Sequence, residues 1–500
     1  HRERTLARHS EKNENPMNPI NRRDFLHRAA VGAALTFPSL RLGAAGANED
    51  IRVAVIGLGG KGRGHVKSLL KFPGARLTAL CDVDPQRLAE QVAAAKEAGI
   101  TVAGVTDPRR ILERKDVDAV VIATPNHWHA VLTVWACRAG KDVYVEKPVS
   151  HSIAEGPRMV EAARQHGRIV QSGTQYRSDE GIRAATAWIR EGHIGRPRSA
   201  HIAWYEYRPS IGRVAPHRPA GLDYDLYCGP AAADPLTRPK LHYDWHWFWS
   251  TGDGDLGNSG VHPIDACRYM AGLEGLPRRA LCLGGRFGVD DSAETPNTQL
   301  TVLDYPGLPM LVENRNLPAK PGQKAMDAFR GIREGFALDC EGGAFVGLKG
   351  GGVIYDRDGK RLKQFPGEGG GRHMANFLDA VRSRRADDLN APVLQGHYSS
   401  TICHLGNLSW RLGRAENLAA CREAVRNHPG AAEVVDQLSR HLAANQIAAD
   451  RARLTLGPWI DLDPASGAIS AVAGADRAIL ARARALAEGT HRAAYGFDAS

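Results

Sequence analysis

No stretch of about 18 apolar residues occurs in the 500-residue chain, so no segment reads as a membrane-spanning helix. Cysteine is sparse. The eight cysteines, at 81, 137, 228, 267, 282, 340, 403 and 421, include no CxxC pair, which argues against a zinc ribbon or a redox motif. The net charge of +10 is not gathered into a basic stripe with interleaved aromatics, so no nucleic-acid footprint is indicated. Residues 1–47 hold eight Lys/Arg against four Asp/Glu, and the remaining excess is diffuse. What is present is ordinary for a globular protein, 43% apolar and 24% charged, and the length suggests two or three domains.

The amino-terminal stretch reads as an address. Arg22-Arg23 precede Phe25-Leu26, a weakly apolar run from Ala29 to Leu40 follows, and Ala45-Gly46-Ala47 resembles a cleavage site. Paired arginines in this setting resemble a twin-arginine export signal. Residues 1–16 read as upstream sequence, with Met17 at the position of a start. The expectation is export to the periplasm or beyond, in a form already folded around its cofactor.

Ile51–Ile56 forms a buried strand pattern, and Gly57-Leu58-Gly59-Gly60-Lys61-Gly62 follows directly before a helical stretch. This is G-x-G-x-x-G in the strand-turn-helix setting that gives it meaning. Gly57 allows the tight turn, Gly59 lets backbone approach a pyrophosphate, and Gly62 permits close helix-strand packing. A second strand ends at Asp82, twenty residues after Gly62, where an acid binds ribose hydroxyls and repels a 2′-phosphate. NAD is therefore expected over NADP. Thr124-Pro125-Asn126-His127-Trp128-His129 and Glu146-Lys147-Pro148 follow two further strands, where a doubly wound sheet binds its ligand. Lys147 is read as functional and His127 as a solvated loop histidine. His129 either contacts the cofactor or caps the next helix.

Together with Gly173-Thr174-Gln175-Tyr176-Arg177, Gly192–Pro197 and Gly257–Asp265, these motifs resemble the Gfo/Idh/MocA oxidoreductases over about residues 50–415. The export signal and the aromatic run His242–Trp249 resemble a secreted branch of that family. The resemblance implies an α/β fold: an amino-terminal Rossmann domain, then an α/β domain on a large, open, mostly antiparallel sheet. The expected organisation is 1–47 upstream residues and signal, 48–172 NAD-binding domain, 173–414 substrate and oligomerisation domain, and 415–500 helical extension. It also implies assembly as a homodimer or homotetramer.

The resemblance assigns catalysis to Lys147 and His262. It places Gly57, Gly59, Gly62, Asp82, Thr124, Asn126, His129, Glu146 and Lys147 at the cofactor. Tyr176, Arg177, Trp245, Asn258 and Asp265 are expected at the substrate. Relatives with a proton relay often carry aspartate where this chain has Asn258, which can hydrogen-bond a hydroxyl but cannot take a proton. Asp265, one turn after His262, is expected either to orient its imidazole or simply to stabilise the helix. Trp245, Trp247 and Trp249 are candidate walls for a sugar or part of a buried hinge. His242 and His246 have an i, i+4 spacing but no third ligand, so no metal is assigned.

The leading expectation is an NAD-dependent dehydrogenase acting on a secondary alcohol of a sugar or glycoside. An NAD-dependent glycosidase or lyase, working by transient oxidation at C3, is the alternative. A sugar or nucleotide sensor without chemistry is the third.

Overall fold

The computed structural model describes residues 50–448 and 453–499, so the arginine pair and the apolar run after it lie outside the described residues. The first sheet contains β1 (Ile51–Ile56), β2 (Ala75–Cys81), β3 (Ala103–Val105), β4 (Ala119–Ile122), β5 (Asp142–Val145) and β6 (Val170–Ser172). Their order is β3-β2-β1-β4-β5-β6, with every pair parallel. This is the doubly wound dinucleotide-binding order. From Val53 to Ile56, β1 is an unbroken apolar run because both its faces are covered there. Val53 and Val55 pack with helix Gly60–Leu69, and Ala54 and Ile56 share a core with helix His129–Arg138. The strand order reverses between β1 and β4, so the ligand crevice lies at their carboxyl ends.

The second sheet holds β7 (Pro197–Tyr205), β8 (Arg279–Gly285), β9 (Thr298–Tyr305), β10 (Leu308–Arg315), β11 (Glu334–Cys340), β12 (Gly343–Leu348), β13 (Gly351–Asp356) and β14 (Arg361–Pro366). It is extended by β15 (Arg414–Glu416), β16 (Leu454–Leu456), β17 (Ile460–Leu462) and β18 (Ile469–Val472). The main order is β14-β13-β12-β11-β7-β10-β9-β8-β16-β15, antiparallel except for β7 with β10. Ile202, Val312 and Phe336 pack with helices Glu180–Arg190, Val261–Ala271 and Val393–Arg411. The α/β class and mostly antiparallel second sheet agree with expectation.

Two expected boundaries change. Helix His373–Ser383, expected in the second domain, buries Met374, Phe377 and Leu378 against the β1 face of the first sheet. Residues 415–500 are not simply helical: they supply β16, β17 and β18, and β16 and β17 both pair with β8. Strands of three or four residues are too short to display the alternation that identifies a strand in sequence. Two helices of this stretch, Leu418–Val425 and Ala431–Ala444, cover Leu281, Leu283, Leu300 and Val302 on the other face of the sheet. All eight cysteines are buried and free.

Candidate active site

A cavity of about 700 Å³ lies between the two sheets, within the roughly 300–1,000 Å³ usual for small-molecule sites. At one end is the glycine turn. Gly57 has φ +89°, and a Cβ there would sit 2.6 Å from the Ala123 carbonyl oxygen. A Cβ on Gly62 would lie 1.8 Å from the Gly57 carbonyl oxygen, so the helix can approach the strand only without a side chain. Gly59 and Gly60, by contrast, have open space: a Cβ on Gly59 would meet nothing nearer than Arg87 at 3.4 Å, and one on Gly60 would meet nothing. The helix beginning at Gly60 has no acid in its first turn, and Lys61 and Arg63 line the cavity beside it. An uncovered helix amino-terminus flanked by cations fits a pyrophosphate.

Asp82 directly follows β2 and lines the same cavity. Its carboxylate accepts from the Leu58 amide at 2.6 Å and the Asp84 amide at 2.9 Å. Burial raises its pKa, against those two hydrogen bonds. The acid thus ties down the glycine turn as well as facing the position of a ribose. The buried Thr124 Oγ1 and Glu146 Oε2 have no protein partner, and both residues line the cavity. The donor set therefore fits a dinucleotide.

Lys147 follows β5 by two residues, and its peptide bond to Pro148 is cis. Its Nζ donates to the Asn258 carbonyl. Burial lowers the Lys147 pKa, while the Glu146 charge pulls the other way. Burial alone would raise Glu146, but Lys61 and a 2.8 Å hydrogen bond from His65 Nε2 hold it well below the usual carboxylate range. A π-helical turn, Leu256–Gly260, carries Asn258 and runs directly into the helix that holds His262. Such turns recur at functional sites. His262 faces the cavity with Nδ1 unpartnered and its ring edge-to-face with Tyr176 at 5.4 Å. Burial first, and then the Lys147 charge, push its pKa well below that of free histidine. Both effects favour the neutral imidazole over the charged one.

The structure thus brings Gly57, Gly59, Asp82, Thr124, His129, Glu146, Lys147, Tyr176, Trp245, Asn258 and His262 to one cavity, with Gly62 directly behind it. Several expected residues stand elsewhere. Arg177 Nε donates to Asp265 Oδ2 at 2.7 Å, and Asp265 Oδ1 accepts from Ser399. Both side chains are buried outside the cavity, and Asp265 is hydrogen-bonded to Arg177 and Ser399, not to His262. Asn126 is buried and does not line the cavity. His127 is not solvated: it is 2% exposed, lies between the Tyr227 and Thr251 carbonyls, and burial pushes its pKa down to about 3. His129 joins the two strand-end loops, with Nε2 2.8 Å from the Thr124 carbonyl and Nδ1 2.6 Å from that of Pro148. The neutral ring donates to one of them at a time. Asn258 contributes its carbonyl to Lys147, while its side-chain amide donates to Asp255 Oδ1 at 3.3 Å. Of the tryptophans, Trp245 lines the cavity, Trp247 is buried under Arg286, and Trp249 packs on Trp410. No cluster able to hold a metal occurs among the described residues.

Residues not foreseen complete the substrate end. Asp255 is buried and accepts from Asn316 at 2.6 Å and from Arg208 at 3.3 Å. Arg208 also pairs with Glu206 at 2.9 Å and donates to the Tyr243 hydroxyl at 2.7 Å. Lys349 lies 5.3 Å over the Trp204 ring and is paired with Glu334. Tyr243, at the cavity mouth, has φ +67° and is 53% exposed. A tyrosine in the left-handed region is strained, and such strain gathers at functional sites. Arg208 could have been suspected from its place three residues after β7. Asp255 carried no signal beyond its closeness to Asn258.

Residues 51–174 match the family profile described as "Oxidoreductase family, NAD-binding Rossmann fold". Residues 203–277 match "Oxidoreductase family, C-terminal alpha/beta domain". The scyllo-inositol 2-dehydrogenase (NAD(+)) of Bacillus subtilis is 39% identical over 151 residues, 30% of this chain and 43% of the relative. A glycosyl hydrolase family 109 protein of Shewanella pealeana is 30% identical over 207 residues, 35% of this chain and 44% of the relative. The chain thus spans less than half the length of these curated relatives. In fold it is similar to the WlbA dehydrogenase of Bordetella pertussis, solved with NADH and UDP-GlcNAcA, with a TM-score of 0.53 at 18% identity, covering 71% of this chain and 95% of that one.

Proposed function

We propose that this chain, which belongs to the Gfo/Idh/MocA oxidoreductase family and carries its NAD-binding Rossmann domain, oxidises a secondary alcohol of a neutral sugar or glycoside. The observation that carries the reading is the pairing of Lys147 and His262 in one cavity with the glycine turn, each with a depressed pKa. NAD, when bound, supplies the hydride acceptor. Lys147, once neutral, accepts the hydroxyl proton at Nζ, because loss of hydride alone would leave a protonated carbonyl. His262, held neutral, hydrogen-bonds the same hydroxyl and fixes its direction. A neutral substrate is favoured because Arg208 and Lys349 are already paired with acids, leaving no free cation for a carboxylate among these residues. Trp245, Trp204 and Tyr176 offer aromatic faces for sugar C–H groups. Incubating the holo-protein with a glycoside library and weighing the products tests the reading: a loss of two mass units is expected. Glycoside cleavage is the second reading, favoured by the family 109 relative, and release of free aglycone without oxidation would put it first.

The pH dependence follows from Lys147. A general base works unprotonated, so alcohol oxidation should rise with pH through a limb below the roughly 10.4 of free lysine, and carbonyl reduction should fall through it. His262 should contribute no limb near 6.5. A limb near 6.5 that survived Lys147→Met would reassign the base to histidine.

Asp82→Ala should weaken NAD and move preference toward NADP, by roughly 10- to 150-fold for one charge-assisted hydrogen bond. Because Asp82 also anchors Leu58, Asp82→Asn is the needed companion: it keeps an acceptor for that amide and removes the charge. Equal NAD/NADP preference ratios in both variants and wild type would place Asp82 away from the ribose.

Export through the twin-arginine route is part of the proposal. Arg22→Lys with Arg23→Lys should leave the protein unprocessed in the cytoplasm, and normal processing would point to another route. Where free NAD is scarce, such an enzyme needs a cofactor that stays bound and is recycled in place.

A further inference from the structure

The adenosine end of the cavity is closed by residues that the glycine motif does not supply. Beyond Asp82, the wall includes Leu226 and Tyr227 from the short helix Tyr224–Cys228, together with Trp128 and His242. This cap comes from the second domain and is fastened at three places. The Tyr227 carbonyl accepts from Trp128 Nε1 at 3.2 Å. His242 Nε2 donates to Asp84 Oδ2 at 2.9 Å, and Asp84 also caps helix Pro85–Glu97. The third fastening is the carboxy-terminal stretch.

Arg492 Nε donates to the Gly229 carbonyl at 2.7 Å and Nη2 to the Asp225 carbonyl at 2.6 Å, while Nη1 pairs with the Asp225 carboxylate. The Tyr495 hydroxyl donates to Asp225 Oδ2 at 2.9 Å, and its ring meets Trp128 edge-to-face at 5.6 Å. Farther on, Trp135 Nε1 donates to the Gly496 and Phe497 carbonyls, and Arg138 to that of Phe497. The tail therefore grips helix His129–Arg138 with one end and the cap with the other. Gly229 makes the fit possible: a Cβ there would lie 2.2 Å from the Trp128 ring. Neither Arg492 nor Tyr495 lines the cavity.

We propose that residues 489–499 are a latch that holds the Leu226–Tyr227 cap over the adenosine half of the dinucleotide, so that the cofactor is retained through turnover. This rests on the reading of the cavity as the NAD site. Arg492 and Tyr495 are positioning residues that act through the cap and through Trp128. The latch explains how a second-domain helix ending in glycine can stay against the Rossmann domain without a covalent tie.

The test uses the full chain with Arg492→Ala and Tyr495→Ala combined. NAD retained through gel filtration is read from the ultraviolet absorbance of the denatured supernatant, and its release rate is timed against excess ADP-ribose. Release should be at least roughly tenfold faster, the scale of one lost charge-assisted hydrogen bond. Affinity for ADP-ribose should fall by a similar factor, and that for nicotinamide mononucleotide should not change. Equal loss of both affinities would mean a general loosening and overturn the latch, as would a wild-type release rate. If the double variant does not fold, Asp225→Asn gives the same readout, since that side chain is 61% exposed and outside the cavity. A wild-type chain that bound neither NAD nor ADP-ribose would instead overturn the reading of the cavity.

Discussion

Lys147→Met should keep NAD bound and lose turnover by about 10²-fold or more, the scale of a positioned acid–base group. Methionine retains much of the length and apolar stem of lysine but can neither take nor give a proton. Cofactor binding should survive because the pyrophosphate end is built from Gly57, Gly59 and the helix beginning at Gly60, and the ribose end from Asp82. His262→Ala should lose less. Its pKa lies well below that of free histidine, so near neutrality it is already unprotonated yet too weakly basic to draw a proton from an alcohol efficiently. The check is steady-state turnover beside nucleotide content for each variant. Near-wild-type turnover in both would remove the assignment and bring the sensor and glycosidase readings forward. Loss in His262→Ala greater than in Lys147→Met would make histidine the primary base.

The cofactor half of the site was legible because its chemistry is written locally. Gly57, Gly59 and Gly62 act within six residues, and Asp82 sits one βαβ step away, so strand, turn, helix and acid can be read in order. Lys147 was legible for the same reason: a strand end marks a ligand crevice whatever lies on the other side. The second domain was harder. Arg177 and Asp265 belong to motifs, but a motif does not tell whether an ion pair faces a cavity or a core. Their mutual hydrogen bond, across 88 positions of chain, settles that. His127 misled for a related reason. A histidine in a loop is usually wet, and the Tyr227 and Thr251 carbonyls, a hundred or more positions away, hold this one in the interior. In sequence the tail reads as a helical extension because three-residue strands leave no periodic trace, and because no local signal connects Tyr495 with Trp128.

Asp255→Ala should be the most destabilising single change at the site, by about 3–5 kcal/mol, the usual effect of breaking a buried ion pair from one side. Burial would by itself raise the Asp255 pKa, but Arg208, and then His246 and the Asn316 hydrogen bond, bring it below the ordinary aspartate value. Its removal leaves Arg208 beside Glu206 alone and strips acceptors from Asn316, Ser259 and Asn258. These groups shape the π-helical turn whose Asn258 carbonyl receives Lys147. Turnover should therefore fall along with melting temperature, even though Asp255 does not line the cavity. Adding Arg208→Met should recover part of the stability, because the half-buried guanidinium that has lost one of its two acidic partners is then gone, but should not restore activity, since the turn still lacks its anchor. Thermal melts and turnover on the two single variants and the double variant close the cycle, with a coupling of about 0.5–3 kcal/mol expected for residues in contact. Additive losses would show that Arg208 and Asp255 stabilise the site separately. An Asp255→Ala protein with a wild-type melting temperature would show that the buried carboxylate does not hold the turn.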